Sequence, residues 1–315
     1  MHELVSVVVP TRNRPEFVCR AVRSALLQTY LDLEVVVVVD GPDPATVAIL
    51  EALQDPRIRI VALPENVGGC EARNIGVRNA RGHWIALLDD DDEWEPTKTE
   101  KQIALAQAEK DDRLVVTSRI KVRFNNLEYV LPASLPHRGE PISEYLLGRP
   151  SNVLATSAYL CTKQLLLKVS WKRGLSGLQD YDWILRALAE KGVRLKVVNE
   201  PLTIIWKHKS LCVSGSLDWK ATLEWGRANR ALLSSKAYSY FLARVCMNRA
   251  IQQGAGLADL WKLFGEFLRA SRLTWRSAML LVGYSVVPFR FRRLILYSVS
   301  KMLKFFRIYR PAFPF

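Results

Sequence analysis

At 315 residues, 49% hydrophobic and 24% charged, the chain can bury more than one core, which excludes wholesale disorder. Its net charge of +14 is not spread evenly: residues 1–219 hold 28 Lys/Arg against 28 Asp/Glu, and residues 220–315 hold 17 against 3. The five cysteines, Cys19, Cys70, Cys161, Cys212 and Cys246, are scattered without a CxxC pair, which argues against a disulfide framework or a zinc site and for free thiols in a reducing compartment.

The first hundred residues alternate between two periods. LVSVVVP (4–10) reads as a buried strand, and RPEFVCRAVRSALLQ (14–28) has helical spacing with Pro15 placed for a first turn. LEVVVVVD (33–40) is a strand so continuously β-branched that both faces of its sheet must be covered. A helix over 44–53, a strand over 57–63, a helix over 68–80 and a strand over 83–88 follow. Strand–helix alternation with short connectors predicts an α/β fold with a mostly parallel sheet. In such sheets ligands bind beyond the C-terminal strand ends, where Pro10, Thr11, Asp40 and Asp89–Asp92 fall. After a helix at 96–109, residues 113–135 read as strands turning at Asn125–Asn126. The Pro-, Gly- and Ser-rich stretch 132–152 reads as a loop over the site, 177–192 as a helix, and 193–198 and 202–206 as strands.

The run Asp89-Asp90-Asp91-Asp92 poses the chemical question, because adjacent carboxylates repel and each resists desolvation. Two readings fit: a solvated acidic loop, or a site for a hard divalent cation, Mg²⁺ or Mn²⁺. On an extended strand end, Asp89 and Asp91 would project to one side and Asp90 to the other. Asp40 ends the second strand, either to accept hydrogen bonds from a base or ribose or simply to form an Asp-Gly-Pro turn. Asn13 reads as the cap of the helix that Pro15 opens, or as one wall of a base pocket with Pro10, Thr11 and Arg12. Asp180 and Asp182 lie about 200° apart on a helix start, so only one can face a given substrate. Both equally suit a helix N-terminus. Trp94 lines a pocket or packs beneath the motif.

The segment VSVVVPTRNRPEFVCRAVRSALLQTYLDLEVVVVVDG resembles the opening of the family 2 glycosyltransferases. ENVGGCEARNIGVRNARGHWIALLDDDDEWEP is similar to that family's second signature, which ends in a DxD-type motif, and LQDYDWILRA resembles the third. The likeness covers about residues 4–215. It implies an inverting enzyme of the GT-A fold, with a catalytic domain over 1–217 and a helical, basic region over 218–315. Carried over residue by residue, Asp40 would bind the uracil of a UDP-sugar beside Pro10, Thr11 and Arg12. Asp89 and Asp91 become the DxD pair that holds Mn²⁺ or Mg²⁺, with Asp91 the more direct metal ligand and Asp90 among the donor-binding residues. Asp180 becomes the general base. His208 falls where relatives carry a histidine that ligates the metal or meets the diphosphate, a surface histidine between lysines being the alternative. Arg73 braces the aspartates or reaches the phosphates. The chain departs from the family pattern at Arg12, where an aromatic is common, at Val39-Asp40, where two acidic residues are common, and at Gln179, where a glutamate is frequent.

No secretory signal precedes the first strand, and the longest uncharged apolar stretch, Ser277 to Phe289, is shorter than the ~20 residues that span a bilayer. The expected location is therefore cytoplasmic. Residues 290–310 place Ile295, Val299, Met302, Leu303 and Phe306 on one helical face and Arg293, Lys301, Lys304 and Arg307 on the other. That pattern suits a helix in an anionic membrane interface, at the inner face of the cytoplasmic membrane, where a lipid-linked saccharide acceptor would be met. No nucleic-acid partner is expected. Two rival readings stay open: a sugar-phosphate nucleotidyltransferase, for which the first loop PTRNRPE lacks the expected glycines, and a non-enzymatic basic adaptor.

Overall fold

The structure, a computed structural model, describes residues 3–109, 111–125, 127–175, 177–207 and 218–270. His208, Cys212 and the amphipathic stretch 290–310 lie outside the described residues. The chain divides into two units, residues 1–217 and 218–315.

Over its described residues the first unit is an α/β fold on a nine-stranded mixed sheet. Strands β1 (Val5–Thr11), β2 (Leu33–Val39), β3 (Ile58–Ala62) and β4 (Trp84–Leu87) pair in parallel in the order β3-β2-β1-β4. Helices α1 (Pro15–Leu26), α2 (Pro44–Glu51) and α3 (Gly69–Asn79) connect them, and α4 (Lys98–Glu109) and α6 (Lys163–Lys168) follow later in the chain. Every residue of β2 is buried, as its unbroken β-branched run demands. Gly76 lets α3 lie against β1, since a β-carbon there would fall 2.3 Å from Cγ1 of Val8. Beyond β4 the sheet continues through β8 (Leu160–Thr162), β6 (Leu114–Phe124), β9 (Arg194–Trp206) and the short β5 (Glu93–Trp94). β7 (Leu127–Leu131) forms a hairpin with β6.

Three sequence expectations need correction. The stretch 132–152 is not all loop: α5 (Ile142–Gly148) buries Tyr145, Leu146 and Leu147. The two strands expected at 193–198 and 202–206 are one, β9, whose pairing with β6 shifts register around Arg119. A bulge absorbs the Asn199-Glu200-Pro201 interruption that reads as a break. The aspartates 89–92 are not an extended strand end, because β4 stops at Leu87 and the run forms a turn closed by the Asp92 N–H on the Asp89 carbonyl at 3.2 Å.

The second unit, over its described residues, is helical. It comprises α8 (Trp219–Ala228), α9 (Ser235–Phe241), a π-helical segment (Leu242–Cys246), α10 (Met247–Gln252) and α11 (Leu257–Ala270). Its core sets Trp225 against Phe241 at 5.4 Å and closes over Gly226, where a β-carbon would strike the Phe241 ring. Among the described residues no helix is long and apolar enough to cross a membrane.

Candidate active site

Parallel register assembles the site. Val8 of β1 sits opposite Leu87 of β4, so three residues beyond each of them Thr11 meets Asp90. The Thr11 hydroxyl donates to Asp90 Oδ2 at 2.8 Å. Thr11 is likewise opposite Val39, which brings Asp40 to the same edge. Asp40 is 5% exposed, and its two carboxylate oxygens accept from the backbone N–H groups of Val67 and Gly68 at 2.7 and 3.0 Å. Gly68 holds φ at +84°, a conformation that only glycine adopts readily, and this aims its N–H at Asp40. Asp40 therefore fixes the loop that leads into α3. It keeps one lone pair on each oxygen for a further donor.

The acidic turn separates its four members by environment. Asp92 is 4% exposed and accepts from the Ser157 hydroxyl at 2.5 Å; burial, with the charges of Asp89 and Asp91, pushes its pKa well up. Asp90 is 7% exposed, and burial pushes it up to about 6 against the pull of Arg14. Asp89 and Asp91 stay partly exposed. Arg73 pairs with Asp89, while Arg14 spans Asp90 and Asp91 at 3.1 and 3.3 Å. Arg20 donates to the Asp91 carbonyl at 2.9 Å. The repulsion of the run is thus met by two guanidinium groups and by neutralising burial, rather than by solvation alone.

Arg73 joins this turn to the start of α7 (Gln179–Ala189). Its guanidinium pairs with Asp89 and donates to Gln179 Oε1 at 3.1 Å. Its Nε is buried without a hydrogen-bond partner among the described residues. Asp180 follows Gln179. Its Oδ1 accepts from the Thr156 hydroxyl, and its Oδ2 has no partner among the described residues. Asp180 is exposed at the site's surface yet crowded by protein atoms, and that desolvation, followed by the Asp89 charge, raises its pKa. Asp182 is its opposite: 1% exposed and held by Lys172 at 2.9 Å and Arg186 at 2.7 Å.

The structure therefore gathers Thr11, Asp40, Arg73, Asp89, Asp90, Asp91 and Asp180 around one edge of the sheet. Pro10 sits half-buried and Arg12 exposed at the end of β1. Asn13 does not cap α1: it takes φ +52° and its backbone N–H donates to Asp43 at 2.8 Å, leaving Arg14 at the cap position. Trp94 belongs to the core, 4% exposed, with its indole N–H on the Ser157 carbonyl at 2.7 Å and Lys98 Nζ over its ring. Cys70 is a buried free thiol, pushed up to about 11 by desolvation. Arg14, Thr156, Ser157 and the contact of Gln179 were not legible in the sequence. Thr156 and Ser157 lie in an unremarkable NVLATSAY, and no local pattern marks a hydroxyl that will meet an aspartate 24 or 65 residues away.

No cluster of three or more His, Cys, Asp or Glu side chains able to hold a metal occurs among the described residues. The donor chemistry nevertheless fits a hard cation of the Mg²⁺ or Mn²⁺ kind. Such ions are commonly held by one or two carboxylates and complete their shell with substrate phosphates and water. Asp89 and Asp91 offer that pair, accessible and of the right hardness.

Residues 6–161 match the family model described as Glycosyl transferase family 2. The chain belongs to that family. It is 44% identical over 104 residues, 33% of its length, to the succinoglycan biosynthesis protein ExoO of Rhizobium meliloti. It is 35% identical over 108 residues, 34% of its length, to the UDP-Glc:alpha-D-GlcNAc-diphosphoundecaprenol beta-1,3-glucosyltransferase WfaP of Escherichia coli. Those stretches span 30% of ExoO and 43% of WfaP, less than half of either relative. In three dimensions the chain resembles residues 1–349 of S. aureus TarS, solved with UDP-GlcNAc, at a TM-score of 0.62 and 18% identity over 95% of this chain and 88% of that one. At that identity the likeness speaks for the fold alone. This family 2 glycosyltransferase has the GT-A type of architecture.

Proposed function

We propose that this glycosyltransferase moves a sugar from a UDP-sugar to a lipid-linked saccharide, with inversion at the anomeric carbon and in the presence of Mn²⁺ or Mg²⁺, during assembly of a cell-surface polysaccharide. One observation carries the reading: a carboxylate with one oxygen held and the other presented, Asp180, is tied through Gln179 and Arg73 to the acidic turn at the strand ends. The names of ExoO and WfaP support polysaccharide assembly, a UDP-sugar donor and a diphospholipid-borne acceptor.

The residues divide the work. An acceptor hydroxyl is a weak nucleophile, and Asp180 Oδ2 takes its proton as the oxygen attacks the anomeric carbon. Desolvation makes Asp180 a stronger base than a free carboxylate, and Thr156 fixes its orientation. Thr11, Arg12 and Asp40 form the wall for the base and ribose, and Pro10 sets its backbone. Asp89 and Asp91 would hold the cation, which when bound supplies Lewis-acid stabilisation to the departing diphosphate. Arg73 and Arg14 keep the turn's net charge low enough for that diphosphate to approach. The contact with a membrane surface and the cytoplasmic face belong to the same reading, motivated by the basic last third.

The test is thermal unfolding with nucleoside diphosphates. UDP with Mn²⁺ should stabilise the protein more than UDP alone; a ligand at a hundredfold its Kd adds about 2.7 kcal/mol over the ligand-free protein. Absence of any shift with every nucleoside diphosphate and metal would remove the donor site from this reading.

A further inference from the structure

Helix α11 carries two apolar faces where one would dock it. Leu263 and Phe267, 1% and 2% exposed, form the inner stripe, and Glu266 beside them is bonded to Tyr238 at 2.5 Å and to Arg227. At about 100° per residue, Leu257, Trp261, Phe264 and Leu268 fall within an arc of roughly 60°, about 110° around the axis from that stripe. Leu257 is 78% exposed, Trp261 69% and Leu268 41%. Trp261 meets Phe264 edge to face at 5.7 Å, so the row is continuous. A tryptophan and leucines exposed in one row, rather than singly, mark a contact surface.

Charge identifies what the row contacts. The 45 residues that follow α11 contain nine Lys/Arg and no Asp/Glu, which leaves the sequence around this row strongly basic. A second copy would bring the same excess of positive charge and be repelled, whereas an anionic surface would be drawn in. Cations near anionic headgroups add to the attraction, and an indole favours the interface where one edge is wet. We infer that Leu257, Trp261, Phe264 and Leu268 form the face with which the second unit enters an anionic lipid bilayer, Trp261 sitting at headgroup level. The inference rests on the lipid-linked-acceptor reading and gives its membrane contact a defined address.

The experiment uses the full chain and vesicles of phosphatidylcholine with or without phosphatidylglycerol. Wild type should sediment with the anionic vesicles, and Leu257→Ser/Trp261→Ser should lower partitioning roughly tenfold or more, since two large apolar side chains no longer enter. Lipids brominated on their acyl chains should quench part of the tryptophan emission of wild type, and Trp261→Phe, a mild change, should remove that part. Unchanged partitioning of the double variant, or equal quenching of wild type and Trp261→Phe, overturns the inference. So does a wild type that ignores vesicles but forms a dimer which the double variant dissolves, because the row then belongs to a second copy. The UDP and Mn²⁺ shift is recorded on the same samples. Its loss strikes the donor-site reading alone, whereas a failure confined to vesicles strikes only the lipid face.

Discussion

The turn at residues 89–92 and the start of α7 at residues 180–182 repeat one device in two places. Each sets carboxylates close together in sequence, and each divides them into members that hold the protein together and members that face outward. In the turn, Asp90 and Asp92 are buried against Thr11, Arg14 and Ser157, while Asp89 and Asp91 stay partly exposed. On α7, Asp182 is locked between Lys172 and Arg186, while Asp180 presents Oδ2. The means differ. In the turn, burial raises the pKa of both inner members, Asp92 well up and Asp90 to about 6 against the pull of Arg14. The helix compensates Asp182 with two cations. A carboxyl whose neutral form desolvation favours, such as Asp92, tolerates an amide in its place; an acid held by two cations does not.

That difference can be broken most decisively on α7. Asp180→Asn keeps the shape and removes the basic oxygen, so kcat should fall roughly 10²–10⁴-fold while UDP binding stays level. Asp182→Asn should show the reverse, a native-like kcat per folded molecule and a loss of about 2–3 kcal/mol in urea unfolding as two charge-assisted hydrogen bonds weaken. If Asp182→Asn abolishes turnover at unchanged stability while Asp180→Asn is near wild type, the assignment is inverted.

The turn offers the next contrast. Asp91→Asn should erase most of the Mn²⁺-dependent part of the UDP shift, about 1–3 kcal/mol at saturating ligand. Asp92→Asn replaces a carboxyl whose burial already favours the neutral form, and it leaves an acceptor for Ser157. Its unfolding free energy and metal response should stay within about 1 kcal/mol of wild type. A metal response lost in Asp92→Asn and kept in Asp91→Asn would exchange the two roles.

How much of this was legible in the sequence follows from the range of each interaction. The βαβ half was readable because its signals are local: β-branched runs for β1 and β2, Pro15 at a helix start, paired glycines before α3. Strand ends, and so the placing of Thr11, Asp40 and the acidic run at one edge, follow from the same signals. The division within each acidic set was not readable. It depends on Arg14, 77 residues from Asp91, on Thr156, 24 residues before Asp180, and on Ser157, 65 residues beyond Asp92. The cap reading of Asn13 fails for a related reason. The residue type suits a helix cap, but Asp43 across the next connection claims its N–H and turns the backbone to positive φ. The fused β9 reads as two strands because Pro201 breaks the local pattern while the long pairing with β6 carries the strand past it.

The finest contrast is within Asp180 itself, between the oxygen that is held and the one that is presented. The Thr156 hydroxyl donates to Oδ1 and so favours the charged form, whereas desolvation by the crowding protein atoms and the Asp89 charge favour the neutral one; the second influence prevails and the pKa is raised. A base must be ionised to accept a proton, so activity should fall as pH drops through that raised value, with its acid limb above the ordinary carboxylate range. Thr156→Val removes the one opposing hydrogen bond and leaves the desolvation. The acid limb of kcat/KM should therefore move further upward, by roughly one pH unit for the loss of a hydrogen bond of about 1–2 kcal/mol. On the alkaline plateau, where Asp180 is ionised in both proteins, turnover should stay within about tenfold of wild type, the deficit reflecting a less firmly oriented carboxylate. Thr156→Ser, which restores the hydroxyl, should return the limb to its wild-type position. A packing role for Thr156 predicts something else: a uniform loss at every pH, no displacement of the limb, and no recovery specific to serine. The pH profile of the three proteins decides between them even when their absolute rates are similar.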